Sequence, residues 1–99
     1  MKIVSISGWT GESISGYVDD GRSYKGFHLT LDGVSYRKPM PKRRWGLTSL
    51  ELFAGVIGKF DPDAFVLEEP IEVGRLDFRA LDDLLSKDGR FEKGGNERG

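Results

Sequence analysis

The first 37 residues hold the pattern that most restricts the fold: short apolar runs cut by Asp–Gly turn signals. The runs are KIVSIS (2–7), ISGYV (14–18) and YKGFHLTL (24–31). In the last of these Phe27, Leu29 and Leu31 alternate with His28 and Thr30, the period of a half-buried strand. Asp19-Asp20-Gly21 follows the second run, and Asp32-Gly33, a type I′ turn candidate, leads from the third into VSYR (34–37). The expectation is a meander of three or four antiparallel strands, with GWTGES (8–13) as a connector that carries Trp9.

The period then changes. RKPMPKRRWG (37–46) contains two prolines and reads as an exposed loop. In LTSLELFAGVIGKF (47–60), Leu50, Phe53, Ala54 and Ile57 form a helical stripe. Thr48 and Glu51 have capping-box spacing, with Leu47 and Leu52 placed to staple the helix start. FDPD (60–63) turns the chain into a buried strand, Ala64–Leu67, which Pro70 cannot continue. Glu68 and Glu69 therefore fall where that strand emerges, pointing to opposite faces. LDFRALDDLL (76–85) is a second amphipathic helix, with Phe78, Leu81 and Leu85 on one face. The reading is one α/β (α+β) domain over residues 1–86 and a polar, glycine-rich tail over 87–99, expected to be disordered.

Composition narrows the chemistry. Absence of cysteine excludes disulfides and thiolate metal sites, and a single histidine argues against a transition-metal centre. No run reaches the roughly 20 apolar residues of a membrane span, and the N-terminus lacks the shape of a secretory signal. A cytoplasmic, intracellular protein without a membrane partner is the expectation. The glycines do not have dinucleotide-fold or P-loop spacing.

A net charge of −1 conceals an uneven distribution. Between Gly21 and Gly46 seven bases face one acid, Asp32, whereas between Asp61 and Asp83 eight acids face two bases. Within the basic half, Arg37, Lys38, Lys42, Arg43 and Arg44 cluster between Tyr36 and Trp45. Cations neutralise phosphates and release counterions, and aromatic rings stack on exposed bases, so these five residues with Trp45 are candidate nucleic-acid contacts. The plainer alternatives are a solvated loop for the cations and core positions for Trp9 and Trp45.

Three segments also resemble a known group of enzymes. MKIVSISG is similar to the first strand of RuvC-type Holliday-junction resolvases, an apolar run ending in an acid and a glycine-containing turn. GKFDPDAFVLEEP resembles the part of those resolvases where a helix ends, a proline–aspartate turn follows, and an apolar strand delivers a catalytic glutamate. SLELFAG is similar to the first helix of ribonuclease H, in which a glutamate near the helix start ligates metal.

Over roughly residues 1–75 the resemblance implies a ribonuclease H-like fold, β-β-β-α-β-α, with a single mixed sheet and helices packed on it. It makes Glu68 and Glu51 the catalytic, metal-ligating carboxylates around Mg²⁺ or Mn²⁺, and places Ser7 and Glu68 at neighbouring strand ends facing one cleft. Ser7 occupies the place of the first-strand aspartate. A hydroxyl supplies none of the charge that draws divalent ions together, so the resemblance implies a catalytically degenerate nuclease relative that binds DNA or RNA. Two other readings stand beside it: a small phage-type accessory or inhibitor module that docks on a host protein, and a minimal Mg²⁺-dependent nuclease.

Overall fold

The structure is a computed structural model that describes residues 1–89 and residue 91. Its long strands are β1 (Lys2–Trp9), β2 (Ser13–Asp19), β3 (Ser23–Thr30) and β6 (Phe65–Glu72), joined by the shorter β4 (Gly33–Tyr36) and β5 (Met40–Pro41). Among the described residues three helices complete it: α1 (Lys42–Trp45), α2 (Leu50–Phe60) and α3 (Phe78–Asp88). The strands lie in the order β4-β3-β2-β1-β6, with β5 pairing β3. Every ladder is antiparallel, so the mixed sheet of the sequence reading is replaced by an antiparallel one. The α+β class and the meander stand.

β1 is irregular in a way that sets the whole core. Simple alternation would put Ile3 and Ile6 on opposite faces. The β1–β2 register instead slips between Ile3 and Ser5 and again between Ile6 and Gly8. An extra residue in one strand restarts its alternation. Ile3, Ile6 and Trp9 consequently share one apolar cluster, while Val4 joins the other. The strand also runs on through Trp9, which is buried and donates its indole N–H to Asp82 Oδ1 at 2.8 Å; the expected connector begins only after it.

The sheet thus has an apolar patch on each face. Phe78, Leu81 and Leu85 of α3 pack with Ile3, Ile14, Val18 and Phe27. Phe53 and Ile57 of α2 pack with Val4, Tyr17 and Tyr24 on the other side, where the Tyr24 and Phe53 rings stack at 4.2 Å. Both amphipathic stripes read from the sequence are therefore the buried ones.

Several boundaries move for local reasons. Thr30 pairs with Gly33, so the central turn residues are Leu31 and Asp32 rather than Asp32 and Gly33. The α2 cap is Ser49, whose side chain accepts the Leu52 N–H at 3.3 Å. Thr48 lies outside the helix, and Leu52 is exposed while Leu47 is buried, so the expected capping box and staple do not form. The basic segment is not simply a loop: Met40 is buried beside Tyr24, and Lys42–Trp45 makes one helical turn, closed by Gly46 at φ 67°. Pro70 does not end β6. It sits where four residues, Leu67–Pro70, face only Val4 between the Ser5–Val66 and Ile3–Ile71 pairs. Such a bulge on an outer strand tolerates a residue without an N–H.

α3 continues past Ser86 to Asp88, and the Phe91 ring meets Phe65 edge-on at 6.0 Å, so the packed unit reaches beyond the expected boundary. The remaining tail positions, for which disorder was expected, lie outside the described residues. No helix among the described residues is long and apolar enough to cross a membrane.

Two neighbours on β1 and β2 make the packing testable. A Cβ on Gly16 would collide with the Ser5 carbonyl, which is backbone and cannot swing away. Gly16→Ala should cost at least about 2 kcal/mol, a fall of roughly 8–16 °C in Tm for a chain of this size, whereas Gly8→Ala, with open space around it, should change Tm little. The Ser5 hydroxyl is buried with no hydrogen-bond partner among the described residues. Removing it in Ser5→Ala relieves a desolvation penalty, so that variant should melt above the parent, by the equivalent of about 1 kcal/mol.

Candidate functional site

The sheet and α2 carry the basic segment to one place. β5 pairs with Ser23 and Tyr24 at the start of β3, and the Lys42 N–H donates to the Arg22 carbonyl at 2.9 Å. These bonds hold α1 against the sheet. Lys42 is taken up by the fold itself. Its ammonium pairs with Asp19 at 2.8 Å and lies 5.0 Å from the centre of the Tyr24 ring. Of the six candidate nucleic-acid contacts, Lys42 is thus the one held in an ion pair among the described residues.

The others remain at the surface. Arg37 bonds through its backbone N–H to the Gly26 carbonyl at 2.8 Å, and its guanidinium donates to the Tyr17 hydroxyl at 3.3 Å. Its aliphatic stem covers Gly26, where a Cβ would find the Arg37 Cδ at 3.0 Å. Lys38, Arg43 and Arg44 are exposed, and none of the three enters an ion pair among the described residues. Trp45, a candidate for the core, is 45% exposed.

Trp45 has a partner the sequence reading did not single out. Phe60 follows Ile57 on the apolar stripe of α2, yet it is 68% exposed and meets the Trp45 ring edge-on at 6.3 Å. Its place three residues after Ile57 continues the spacing of the buried stripe. The signal was present in its neighbour Asp61, which caps the helix and signals its end beside that ring. Tyr17, Arg37, Lys38, Trp45, Ile57 and Phe60 line a cavity of about 170 Å³. It has aromatic walls, an apolar base and two cations at its margin. Its chemistry suits a flat, electron-rich ring attached to an anion.

Tyr17 in that lining and Tyr24 in the α2-side cluster are both shifted toward the protonated form. Burial, and then the Asp61 carboxylate, raise the Tyr17 pKa above the ordinary 10.0, against the pull of Arg37. Burial raises that of Tyr24, with Lys42 opposing and Asp19 assisting. The Tyr17 hydroxyl donates to Asp61 Oδ2 at 3.3 Å, a bond that the phenolate would lose.

Glu51 and Glu68 stand elsewhere. Both are exposed and both line a cleft of about 490 Å³ between α2 and β6. Ser7 does not line it: β1 and β6 run antiparallel, with Ile6 opposite Phe65, so the Ser7 end of β1 lies beside the start of β6. Glu68 belongs to the bulge opposite Val4. The expected convergence of Ser7 and Glu68 at neighbouring strand ends is therefore not formed. No three histidine or acidic residues gather to hold a metal ion among the described residues. Glu51 and Glu68 are the two carboxylates of the Mg²⁺ or Mn²⁺ centre that the resemblance implies, and in this cleft such an ion would draw its remaining ligands from water or a phosphate. Glu69 is exposed in the same bulge, and His28 is exposed with its Nδ1 2.8 Å from the Ser15 hydroxyl.

Comparison of the chain with protein-family models, with curated proteins and with solved structures gives no match.

The tyrosine shifts give a pH dependence of definite sign. A folded-state pKa above the unfolded one contributes stability that is whole below the unfolded value and lost as pH rises through the folded one. Thermal melts from about pH 8 to 11 should show Tm falling more steeply above about pH 10 in the parent than in Tyr17→Phe/Tyr24→Phe, which has no phenol to ionise at either position. Equal slopes would mean that these two groups titrate alike in both states.

Proposed function

We propose that the domain binds nucleic acid, with Trp45 and Phe60 as a stacking platform and Arg37, Lys38, Arg43 and Arg44 as phosphate contacts. One observation carries the reading. Two large aromatic rings that ordinary packing would bury are held exposed, in contact with each other, over a cavity whose margin is cationic. Stacking on an exposed aromatic side chain is worth about 1–3 kcal/mol per base and requires a base outside a duplex, so the form favoured is single-stranded. The free cations supply the part of the affinity that does not depend on sequence.

The proposal is of binding without hydrolysis. It agrees with Ser7 in place of an acid and with the separation of Ser7 from the Glu51–Glu68 cleft. The wider reading, a catalytically degenerate relative of ribonuclease H-like nucleases, draws support from the order of the longer elements, β1-β2-β3-α2-β6-α3, between which the short β4, β5 and α1 intervene after β3. The antiparallel β6 departs from the mixed sheet which that relationship implies.

The test is fluorescence anisotropy of a labelled single-stranded oligonucleotide over a range of salt concentrations. Arg43→Ala/Arg44→Ala should weaken binding to all sequences and flatten the plot of log affinity against log salt by about one unit or more. Trp45→Ala should lower affinity by about 1–3 kcal/mol and leave that slope nearly unchanged, since a ring releases no counterions. Parent-like affinity in both variants would remove the reading.

A further inference from the structure

We propose that the cleft between α2 and β6 takes a short, extended, basic segment of a partner protein, bound as an added strand. The surface is separate from the Trp45–Phe60 site and would repel a nucleic acid, because its two charged residues are Glu51 and Glu68.

β6 is the last strand of the sheet. It pairs with β1 on one side, and among the described residues no strand pairs with the other. In an antiparallel ladder alternate residues direct their N–H and C=O groups to each side, so the open side presents donors and acceptors in strand spacing. Proteins blunt such edges with charges, proline or bulges. β6 has all three in its bulge, Leu67–Pro70. The stretch before the bulge, Phe65 and Val66, has none of them, and the cleft is flanked by Val66 together with Leu67 and Glu68 at the start of the bulge.

The cleft gives the edge a second wall. Val66 pairs with Ser5 and belongs to the α2-side cluster, so its side chain faces α2. With Leu50 and Ala54 it makes an apolar floor between helix and strand. A strand laid along Phe65–Leu67 would send alternate side chains into that space, the arrangement by which edge-binding domains read peptides. Only a few residues fit before the bulge interrupts the ladder.

Charge selects the occupant. Glu51 stands on the helix wall and Glu68 on the strand wall, and neither enters an ion pair among the described residues. They favour lysine or arginine two residues before and after a small apolar side chain, on the strand face that enters the cleft. A second copy of the chain is a poor occupant, since two β6 edges brought together would set Glu68 and Glu69 of one against those of the other.

The experiment uses the full chain labelled with ¹⁵N and two synthetic peptides, acetyl-Lys-Ser-Val-Ser-Lys-amide and its twin with glutamate for lysine. The basic peptide should shift the amide signals of Phe65–Glu68 and of the first turn of α2, with a saturating dependence on concentration. The acidic twin should not. Glu51→Gln/Glu68→Gln should weaken the response at least fivefold with signal dispersion unchanged, and Glu51→Lys/Glu68→Lys should reverse the preference between the peptides. Arg43→Ala/Arg44→Ala should respond like the parent, so this result is independent of the nucleic-acid reading. The proposal is overturned if β6 signals fail to move, if both peptides act alike, or if the glutamine variant binds as the parent does. It is overturned equally if those signals shift with protein concentration alone, which would make a second copy the occupant.

Discussion

The two bulges of β1 are the constraint on which the rest of the molecule depends. β1 is flanked by β2 and β6, and it feeds both cores. A regular strand through KIVSISGW would divide Ile3 and Ile6 between the faces. Slipping the register after Ile3 and after Ile6 collects Ile3, Ile6 and Trp9 under α3 and leaves Val4 for α2. The same geometry brings the Ser5 carbonyl against Gly16, a contact that only a residue without a Cβ permits. A two-sided core in so small a chain thus rests on a local backbone irregularity in its first strand.

The uneven charge of the sequence becomes a separation in space. The basic segment is carried on β5, which pairs with β3, whereas acidic β6 lies on the far side of β1, with β2 and β1 between. Part of each charge run is spent internally. Lys42 holds Asp19, Lys25 reaches Asp20 at 3.4 Å, and Glu72 receives the N-terminal ammonium at 3.1 Å. Asp20 is itself held below the ordinary carboxylate value: burial works against this, but the Arg22 and Ser23 amides and Lys25 outweigh it. Among the described residues, cations outside any ion pair stand beside Trp45 and acids outside any ion pair at the open edge of β6. The two surfaces therefore carry opposite charge.

Much of this was legible in the residues. Alternation in Tyr24–Leu31, the Asp–Gly turns and the stripes Phe53–Ile57 and Phe78–Leu81–Leu85 specify strands and helices because burial of one face requires those periods. The cationic cluster was legible as well, since it depends only on residue type and proximity in the chain. Phe60 shows where such reading stops. Its spacing assigns it to the core, and only the place at which α2 ends relative to Trp45 makes it a surface ring.

By itself the sequence determined the order of the longer elements, the apolar faces of α2 and α3 and the location of each charge run, because these follow from period and composition. The tertiary structure alone decided three things. It set the direction of β6 against β1, which places Ser7 away from Glu68; it assigned Lys42 to Asp19; and it brought Glu51 and Glu68 to one cleft. Each of these depends on contacts between segments far apart in the chain. Pairing direction and register are fixed by which apolar sets can be buried together. A local pattern specifies the sets, but their meeting requires the folded sheet.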